Sequence, residues 1–142
     1  MATLHFTYST MNAGKSTALL QANHGYKERG MKTMIFTSSK DDRYGDSEIV
    51  SRIGLRADAE TFTETDNLFE IVKVHHAKQT LNCVLIDEAQ FLTKNQVIEL
   101  GQIVDQLKIT VMAYGIRTDF QGELFDGSKY LLAWADRLKE LR

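Results

Sequence analysis

A strand, a loop and a helix follow one another near the N-terminus, and this succession constrains the fold more than any other part of the sequence. Residues 4–8 are short, apolar and aromatic, which predicts a strand. Residues 16–29 follow a helical period that places Leu19, Ala22 and Tyr26 on one face. A loop that joins a strand to a helix in this way is the structural context of a phosphate-binding loop.

The loop itself has most of the residues that phosphate binding requires. Gly14, Lys15 and Ser16 match the end of the usual pattern, whereas Ser9 stands where that pattern begins with glycine. Backbone N–H groups of such a loop and the helix N-terminus hold anionic phosphates, Lys15 would reach the outer phosphates, and the Ser16 hydroxyl would ligate Mg²⁺. The alternative is a solvated lysine ahead of a helix that Ser16 or Thr17 caps. The predicted phosphate-binding residues of the loop are Ser9, Thr10, Met11, Asn12, Ala13, Gly14, Lys15, Ser16 and Thr17.

Length, composition and charge narrow the class of protein. The 142 residues are 43% hydrophobic and 25% charged, which predicts one packed domain over residues 1–142. The net charge is −2 and the pI is about 6.1, so no basic excess indicates DNA, RNA or an anionic membrane as a partner. Neither a signal peptide nor a stretch long enough to span a bilayer is evident. Cys83 is the only cysteine, so an intrachain disulfide is impossible and a cytoplasmic location is favoured.

Apolar strands and amphipathic helices alternate along the rest of the chain. We predict further strands at residues 33–37, 83–86 and 109–114, helices capped by Asp66 and by Thr93, and a final helix over residues 128–141. The final helix is expected to bury Leu131, Trp134, Leu138 and Leu141. Residues 38–65 show no clear period, which is typical of a functional or mobile segment. The alternation indicates an α/β fold, namely a P-loop NTPase-like (RecA-like), mainly parallel sheet with helices on both faces.

Two adjacent carboxylates, Asp87 and Glu88, follow the all-apolar residues 83–86. In parallel sheets ligands gather at the carboxyl ends of the strands, where an aspartate of a phosphate-loop protein supports Mg²⁺, often through water. The adjacent Glu88 points in a different direction from Asp87 and can accept a proton from an attacking hydroxyl or water. The small Ala89 leaves space beside Glu88. The alternative is a pair of solvated carboxylates in a turn. The predicted metal site is therefore Ser16 with Asp87, and Asp87 also joins the phosphate-binding residues.

Three further groups of residues each have a functional and a plain structural interpretation. The charged residues 40–43 either form a solvated loop or place Arg43 as a cation near a transferred phosphoryl group. Met11, Phe91 and Phe120 lie in loops that follow strands, where they either stack on a flat base or pack under the loop. One cysteine and four scattered histidines give no zinc-ligand spacing, so no structural zinc site is expected in this chain.

Taken together, these residues resemble the thymidine kinase family that includes bacterial and cytosolic vertebrate enzymes. The resemblance extends through nearly all of the chain and depends on five ordered motifs, at residues 9–17, 41–45, 51–54, 87–91 and 114–120. It implies transfer of the ATP γ-phosphoryl group to the 5′-hydroxyl of thymidine or deoxyuridine, with Mg²⁺ bound beside ATP.

The resemblance also implies roles for individual residues. Glu88 is the general base, and Lys15 and Arg43 complete the catalytic set beside the phosphates. The residues around the pyrimidine are Met11, Phe91 and Phe120. The family is typically a homotetramer under feedback by thymidine triphosphate.

The sequence departs from this family in two places. Relatives often have Cys or Gly where this chain has Ala89, which keeps the position small. Relatives also continue past residues 130–141 with a zinc-bound cysteine segment and a loop that closes over the nucleoside. The chain is therefore expected to be truncated, to bind ATP, and to phosphorylate thymidine slowly.

Two other functions remain open at this point. Residues 87–90 also resemble a helicase box, which would indicate a nucleic-acid-stimulated ATPase. The acidic pI and the lack of a second motor domain oppose that interpretation. The other possibility is a nucleotide-binding fragment without turnover.

Overall fold

The computed structural model describes residues 1–9, 14–40, 48–51, 54–119 and 121–141. Its strands are β1 (Leu4–Ser9), β2 (Thr33–Ser38), β3 (Glu48–Val50), β4 (Arg56–Asp58), β5 (Glu60–Phe62), β6 (Cys83–Ile86), β7 (Thr110–Ile116) and β8 (Arg137–Glu140). Its helices are α1 (Lys15–Glu28), α2 (Leu68–Lys78), α3 (Lys94–Leu107) and α4 (Asp126–Trp134), with a short 3₁₀ helix, Ala89–Phe91, between β6 and α3. No helix within the described ranges is long and apolar enough to cross a membrane.

Six strands form one sheet in the spatial order β5-β2-β6-β7-β1-β8, and every neighbouring pair runs parallel. β3 and β4 form a separate antiparallel pair. Because every neighbouring pair is parallel, all six strands end at the same edge of the sheet, and crossover connections return the chain to the opposite edge. The predicted α/β fold is confirmed, and the residues that follow β1 and β6 meet at one edge with β7 between them.

Helices cover both faces of this sheet through two separate apolar clusters. The larger cluster joins α2, α3 and α4 to one face and includes the fully buried Phe36 and Leu100. The smaller cluster joins α1 to the opposite face through residues such as Leu19 and Leu85. β6 is buried on both faces, which explains why Cys83–Ile86 is apolar throughout.

Two helix starts illustrate how local sequence sets the elements. Thr93 caps α3 as predicted: its Oγ1 accepts the N–H of Gln96 at 3.1 Å, and Gln96 Oε1 accepts the N–H of Thr93 at 3.1 Å. α1 begins directly after Gly14, whose φ of 78° suits a residue without a side chain. This start has no side-chain cap, so the alternative in which Ser16 or Thr17 caps α1 is wrong.

The predicted cap of α2 is wrong by one residue. Asn67 caps this helix, because its Oδ1 accepts the N–H of Glu70 at 3.0 Å. Asp66 belongs to the preceding turn, where its Oδ2 accepts the N–H of Thr63 at 2.9 Å. Asp and Asn suit a helix cap and a turn about equally, so their order along the chain does not decide which residue takes which place.

The described part of residues 38–65 contains three short strands that periodicity did not reveal. β5 pairs in parallel with β2, from Phe36 opposite Glu60 to Ser38 opposite Phe62, and extends the sheet. β3 and β4 lie outside the sheet as an antiparallel pair. Each of the three strands has only three residues, which is too short for an alternating pattern to stand out.

The predicted final helix over residues 128–141 is wrong in its second half. α4 ends at Trp134, and β8 then pairs in parallel with β1. Asp136 fixes this change of structure, because its Oδ2 accepts the N–H of Leu4 at 2.8 Å and its own N–H donates to Leu4 O at 2.8 Å. Pairing along β1 satisfies backbone groups that a continued helix would leave without partners at this edge of the sheet.

Burial along this segment changes accordingly. Leu131 is fully buried as predicted, whereas Trp134 and Leu138 are 45% and 50% exposed, and Leu141 is half-buried. A strand directs alternate residues to opposite faces, so the helical spacing behind the prediction does not apply after Trp134.

Candidate active site

Lys15 and Ser16 meet Asp87 and Glu88 at the carboxyl edge of the sheet, although 72 positions separate Lys15 from Asp87 in the sequence. Lys15 opens α1, and Asp87 follows β6 directly. Lys15 Nζ lies 3.4 Å from Asp87 Oδ1 and donates to Glu88 Oε1. Ser16 Oγ donates to Asp87 Oδ2 at 3.4 Å. The lysine and serine of the loop and the two carboxylates therefore form one cluster.

The charged groups of this cluster are buried. Lys15 is 4% exposed, Asp87 is 5% exposed and Glu88 is 9% exposed. Charged groups this far from water need partners of opposite charge. The alternatives of a solvated lysine and of two solvated carboxylates in a turn are therefore wrong.

One ammonium group faces two carboxyl groups, which gives the cluster an excess of negative charge when both are ionised. Burial raises the pKa of Asp87, and the charge of Glu88 adds to this shift while Lys15 opposes it. Burial lowers the pKa of Lys15, but the attraction of Asp87 and Glu88 outweighs burial and raises this pKa overall. Lys15 therefore stays charged, and a further cation would balance the remaining negative charge.

Ser16 and Asp87 offer the hydroxyl and carboxylate oxygens that Mg²⁺ prefers. Mg²⁺ is usually held by one or two protein oxygens, with phosphate and water oxygens as its other ligands. Within the described residues, no group of three or more His, Cys, Asp or Glu side chains is arranged to hold a metal by itself. The side chains at this edge therefore fit a Mg²⁺ ion that arrives with phosphates.

Glu88 has an unusual backbone conformation for a residue with a side chain. Its φ is 56° and its ψ is 40°, in the left-handed region. The chain turns there from β6 into the 3₁₀ helix, and just before the turn the N–H of Asp87 donates to Phe36 O at 2.7 Å. Strain of this kind is concentrated at functional sites, where the surrounding structure holds it in place.

Gln90 is a buried residue of this turn that sequence reasoning did not single out. It is 3% exposed, its Nε2 donates to Glu88 Oε2 at 2.6 Å, and its Oε1 accepts the N–H of Ile116 at 3.2 Å. The sequence signal for Gln90 is a polar residue between Ala89 and Phe91, in the motif at residues 87–91 that supports the family resemblance. Ala89 is fully buried in the larger apolar cluster, so its small side chain packs within the protein.

Phe91 is the described member of the predicted aromatic set, and it is half-buried. Its ring packs edge-on against Phe125 with 5.8 Å between the centroids, and Lys40 Nζ lies 5.6 Å from its centroid. Phe91 also lines a cavity of about 140 Å³, together with Ser38, Ser39, Lys40, Phe62, Thr63 and Glu64. Phe91 therefore packs against a neighbouring aromatic ring, as its structural interpretation requires, and also borders a cavity, as its functional interpretation requires.

Six predicted site residues lie outside the described part of the chain: Thr10, Met11, Asn12, Ala13, Arg43 and Phe120. Of the other loop residues, Ser9 ends β1, Gly14 precedes α1, and Thr17 is half-buried in the first turn of α1. Ser9 is fully buried, and its carbonyl oxygen accepts the N–H of Arg117 at 3.0 Å. Both ends of the loop are thus anchored at the carboxyl edge of the sheet.

A solved structure of a DNA replication initiation factor shares the fold. The alignment covers 100% of this chain and 40% of that chain, with a TM-score of 0.51 and 18% identity, so the likeness concerns the fold alone. The parallel sheet, the Gly-Lys-Ser turn at the start of α1 and the strand-end aspartate together define the class of P-loop nucleotide-binding proteins.

Sequence comparison narrows this class to one family. A family model described as thymidine kinase matches residues 2–142, and the chain belongs to the thymidine kinase family, whose members are ATP-dependent kinases. Thymidine kinases of Shewanella oneidensis, Haemophilus influenzae and Escherichia coli strain K12 are 58%, 57% and 56% identical to it over all 142 residues. The chain covers 74%, 74% and 69% of the lengths of these three relatives.

Proposed function

We propose that the chain transfers the γ-phosphoryl group of ATP to the 5′-hydroxyl of thymidine or deoxyuridine. The observation that carries this proposal is the buried cluster in which Lys15 and Ser16 face Asp87 and Glu88. This cluster combines a cation for phosphates, oxygen ligands for a metal and a carboxylate for a proton. The nucleoside is proposed from the family, because relatives at 56% to 58% identity are thymidine kinases.

When ATP binds, the ammonium group of Lys15 would move from the carboxylates of Asp87 and Glu88 to the phosphates. Phosphates that arrive at the N-terminus of α1 meet backbone N–H groups and the positive end of the helix dipole. Lys15 contacts Glu88 Oε1, so its movement to the phosphates would also open this oxygen to the acceptor hydroxyl. The proposed ATP-binding residues are Ser9, Thr10, Met11, Asn12, Ala13, Gly14, Lys15, Ser16, Thr17 and Asp87.

Ser16 and Asp87 are the proposed Mg²⁺ residues. Their oxygens are 3.4 Å apart, and the cluster around them has excess negative charge. When bound, Mg²⁺ would neutralise charge on the β- and γ-phosphate oxygens. Ser16 Oγ would ligate the ion and Asp87 would support it.

Glu88 is the proposed general base. It would accept the proton of the 5′-hydroxyl while the 5′-oxygen bonds to the γ-phosphorus and the bond from that phosphorus to the bridging oxygen of ADP breaks. The products are the nucleoside 5′-monophosphate and ADP, and Glu88 then releases the proton to water. Lys15 and Arg43 are the proposed cations that offset the charge of the transferred group, and Arg43 is assigned from the resemblance alone.

Met11, Phe91 and Phe120 are the proposed walls of the nucleoside site. Phe91 supports this proposal because its ring borders the cavity of about 140 Å³ described above. A flat pyrimidine can stack on an aromatic ring of this kind. Met11 and Phe120 are assigned from the resemblance alone.

We further propose that residues 1–142 form one domain of a cytoplasmic homotetramer with no nucleic-acid or membrane partner. The pI of about 6.1 supports the absence of a nucleic-acid partner, and a single buried cysteine suits a reducing compartment. The tetramer is proposed from the family resemblance. Sedimentation velocity measures it directly, and a monomer at micromolar concentration would contradict this assignment.

A phosphorylation assay tests the proposed reaction. The chain is incubated with Mg²⁺ and ATP labelled in the γ-phosphate, in separate reactions with thymidine, deoxyuridine, deoxycytidine and deoxyadenosine. We expect label in the monophosphates of thymidine and deoxyuridine, and no stimulation of ATP hydrolysis by single-stranded DNA. Unlabelled nucleosides in all four reactions, or hydrolysis that requires DNA, would overturn the proposal.

The Glu88→Gln variant tests the proposed base, because it keeps the shape of the side chain and removes its ability to accept the proton. We expect turnover to fall by about 10²- to 10⁴-fold while ATP binding is retained. Glu99→Gln is the matched control, since Glu99 lies in α3 and accepts the N–H of Leu68 at 2.8 Å, outside the cluster. A Glu88→Gln variant that turns over within a few-fold of the parent would assign the base to another group.

A further inference from the structure

We infer that Gln90 is the positioning residue of Glu88, and that it holds this carboxylate by bridging it to the backbone of β7. This inference rests on the proposed role of Glu88 as general base. Gln90 would not touch the substrate, and it would act only through the orientation of Glu88.

The two hydrogen bonds of Gln90 fix the direction of its side-chain amide. Ile116 has an N–H to donate at 3.2 Å, which requires the amide oxygen of Gln90 at that end. The amide nitrogen must then face Glu88, where it donates to Oε2 at 2.6 Å. Because Gln90 is 3% exposed, water cannot readily replace either partner.

The backbone that Gln90 uses as an anchor is itself held from two sides. Ile116 is the last residue of β7 and lies opposite Ser9 of β1 in the parallel sheet. On the other side the buried Ser128, in the first turn of α4, donates its hydroxyl to Ile116 O. The bridge therefore connects Glu88 to the rigid part of the fold and not to a loop.

Gly115 makes room for the bridge. A Cβ at this position would lie 2.8 Å from Gln90 Oε1, closer than real Cβ contacts come, and at a tight 3.0 Å from Gln90 N, so the side-chain amide of Gln90 would have to move. The φ of Gly115 is not in the left-handed region, so the backbone itself would accept alanine. Gly115→Ala therefore displaces Gln90 without changing any chemical group of the bridge.

The bridge also gives the two carboxylate oxygens of Glu88 different roles. Oε2 accepts the amide of Gln90, and Oε1 contacts Lys15. Once phosphates draw Lys15 away, Oε1 becomes the oxygen that accepts the proton of the 5′-hydroxyl. A carboxylate held at one oxygen presents the other in a fixed direction, and misplacement of a reacting group by about 1 Å can cost on the order of 100-fold in rate.

The main test replaces Gln90 with methionine, which has similar length and cannot form either hydrogen bond. We expect the kcat of Gln90→Met to fall by about 10- to 100-fold with the KM for ATP unchanged. Gln96→Met is the matched control, since Gln96 is a similarly buried glutamine whose amide donates to Thr63 O and Asp66 O. This control is expected to lose stability and to keep its kcat per folded molecule.

A double-mutant cycle with Glu88→Gln separates positioning from a general structural role. If Gln90 acts through Glu88, Gln90→Met lowers kcat in the parent and changes it less than about two-fold in the Glu88→Gln background. Equal losses in both backgrounds, or a Gln90→Met kcat within two-fold of the parent, would overturn the inference. Full turnover by Glu88→Gln alone would instead overturn the proposed base.

Gly115→Ala gives an independent route to the same conclusion. We expect it to lower kcat in the same direction as Gln90→Met, and to add little when the two changes are combined. An unchanged kcat in folded Gly115→Ala would count against the bridge, because the added methyl group cannot be accommodated while Gln90 keeps its place.

Discussion

Lys15 stabilises the fold as well as serving the proposed site, because its ammonium group lies between two buried carboxyl groups. Leaving a buried charge without its partner costs far more than an exposed ion pair contributes. The pKa of Asp87 is raised by burial and by the charge of Glu88, and Lys15 is the charged partner that opposes both. Removal of Lys15 should therefore favour the protonated carboxyl in the folded protein.

The Lys15→Met variant is predicted to lose stability in a pH-dependent way, in addition to losing ATP binding. At pH 8 we expect its free energy of unfolding to be lower by about 3–5 kcal/mol. Without Lys15 the folded state binds protons more tightly than the unfolded state, so stability recovers as the pH falls towards 5. Urea unfolding at pH 5 and pH 8 measures this difference.

Lys40→Met is the control for that measurement. Lys40 is half-exposed and pairs with Glu64 at 3.3 Å, and exposed pairs of this kind contribute about 1 kcal/mol or less. A Lys15→Met loss that is as small as the Lys40→Met loss, or that is the same at both pH values, would contradict the prediction.

The residues of the cluster differ in how far sequence could predict them. Lys15, Ser16 and Asp87 each belong to a local pattern, a loop before a helix or a carboxylate after an apolar strand, so their approach to one another followed from the parallel sheet. Gln90 could not be found in this way. Its partner Ile116 is 26 positions away, and the contact exists only because β7 lies beside β6.

At the scale of elements, the docking of α4 on the 3₁₀ helix holds the turn that carries Glu88. Gly127, in the first turn of α4, lies so close that a Cβ would be 2.3 Å from Ala89 O and 2.9 Å from Gln90 O. These neighbours are backbone atoms, which cannot turn aside as a flexible side chain can. The close approach of the two elements therefore requires glycine at position 127.

Gly127→Ala is predicted to destabilise the protein, although helix propensity alone predicts the opposite. Alanine is better than glycine within a helix by about 1 kcal/mol, but overpacking of a tight contact costs about 1–3 kcal/mol or more. Gly101→Ala in α3 is the matched control, since a Cβ there has no neighbour within 4 Å, and we expect it to gain about 0.5–1 kcal/mol. Thermal unfolding of the two variants measures both signs, and a stabilised Gly127→Ala would refute the close contact.

Sequence predicted elements whose causes are local and missed those whose causes are distant. β6 was evident because burial on both faces makes Cys83–Ile86 continuously apolar, and α3 because Thr93 is recognisable as the cap of its start. β8 was missed because Asp136 forms its hydrogen bonds with Leu4, at the other end of the chain. A helical spacing of apolar residues cannot compete with an open strand edge that only the folded sheet provides.

At the scale of the whole molecule, the two faces of the sheet differ in chemistry. The face covered by α2, α3 and α4 is packed with aliphatic and phenylalanine side chains. The face covered by α1 places the thiol of Cys83 near the hydroxyl groups of Tyr26 and Tyr114. Burial raises the pKa of Cys83 to about 12, with a hydrogen bond to Tyr26 opposing this shift, and burial also raises the pKa of Tyr26 to about 12.

This face is therefore predicted to limit stability at alkaline pH. The folded state keeps the proton of Cys83 from its ordinary pKa of 9.0 up to about 12, whereas the unfolded state loses it, so unfolding releases a proton and stability falls as the pH rises. Between pH 8 and pH 10 ionisation of this thiol in the unfolded chain should lower the free energy of unfolding by about 1.4 kcal/mol.

Cys83→Ala should be less stable than the parent at pH 8, because a small cavity replaces the sulfur, and its stability should decline less between pH 8 and pH 10. Tyr26 and Tyr114 begin to ionise in the unfolded chain as the pH approaches their ordinary pKa of 10.0, and they do so in both proteins. The difference between the two series of urea-unfolding measurements therefore isolates the thiol. Parallel declines would show that Cys83 ionises as readily in the folded protein as in the unfolded chain.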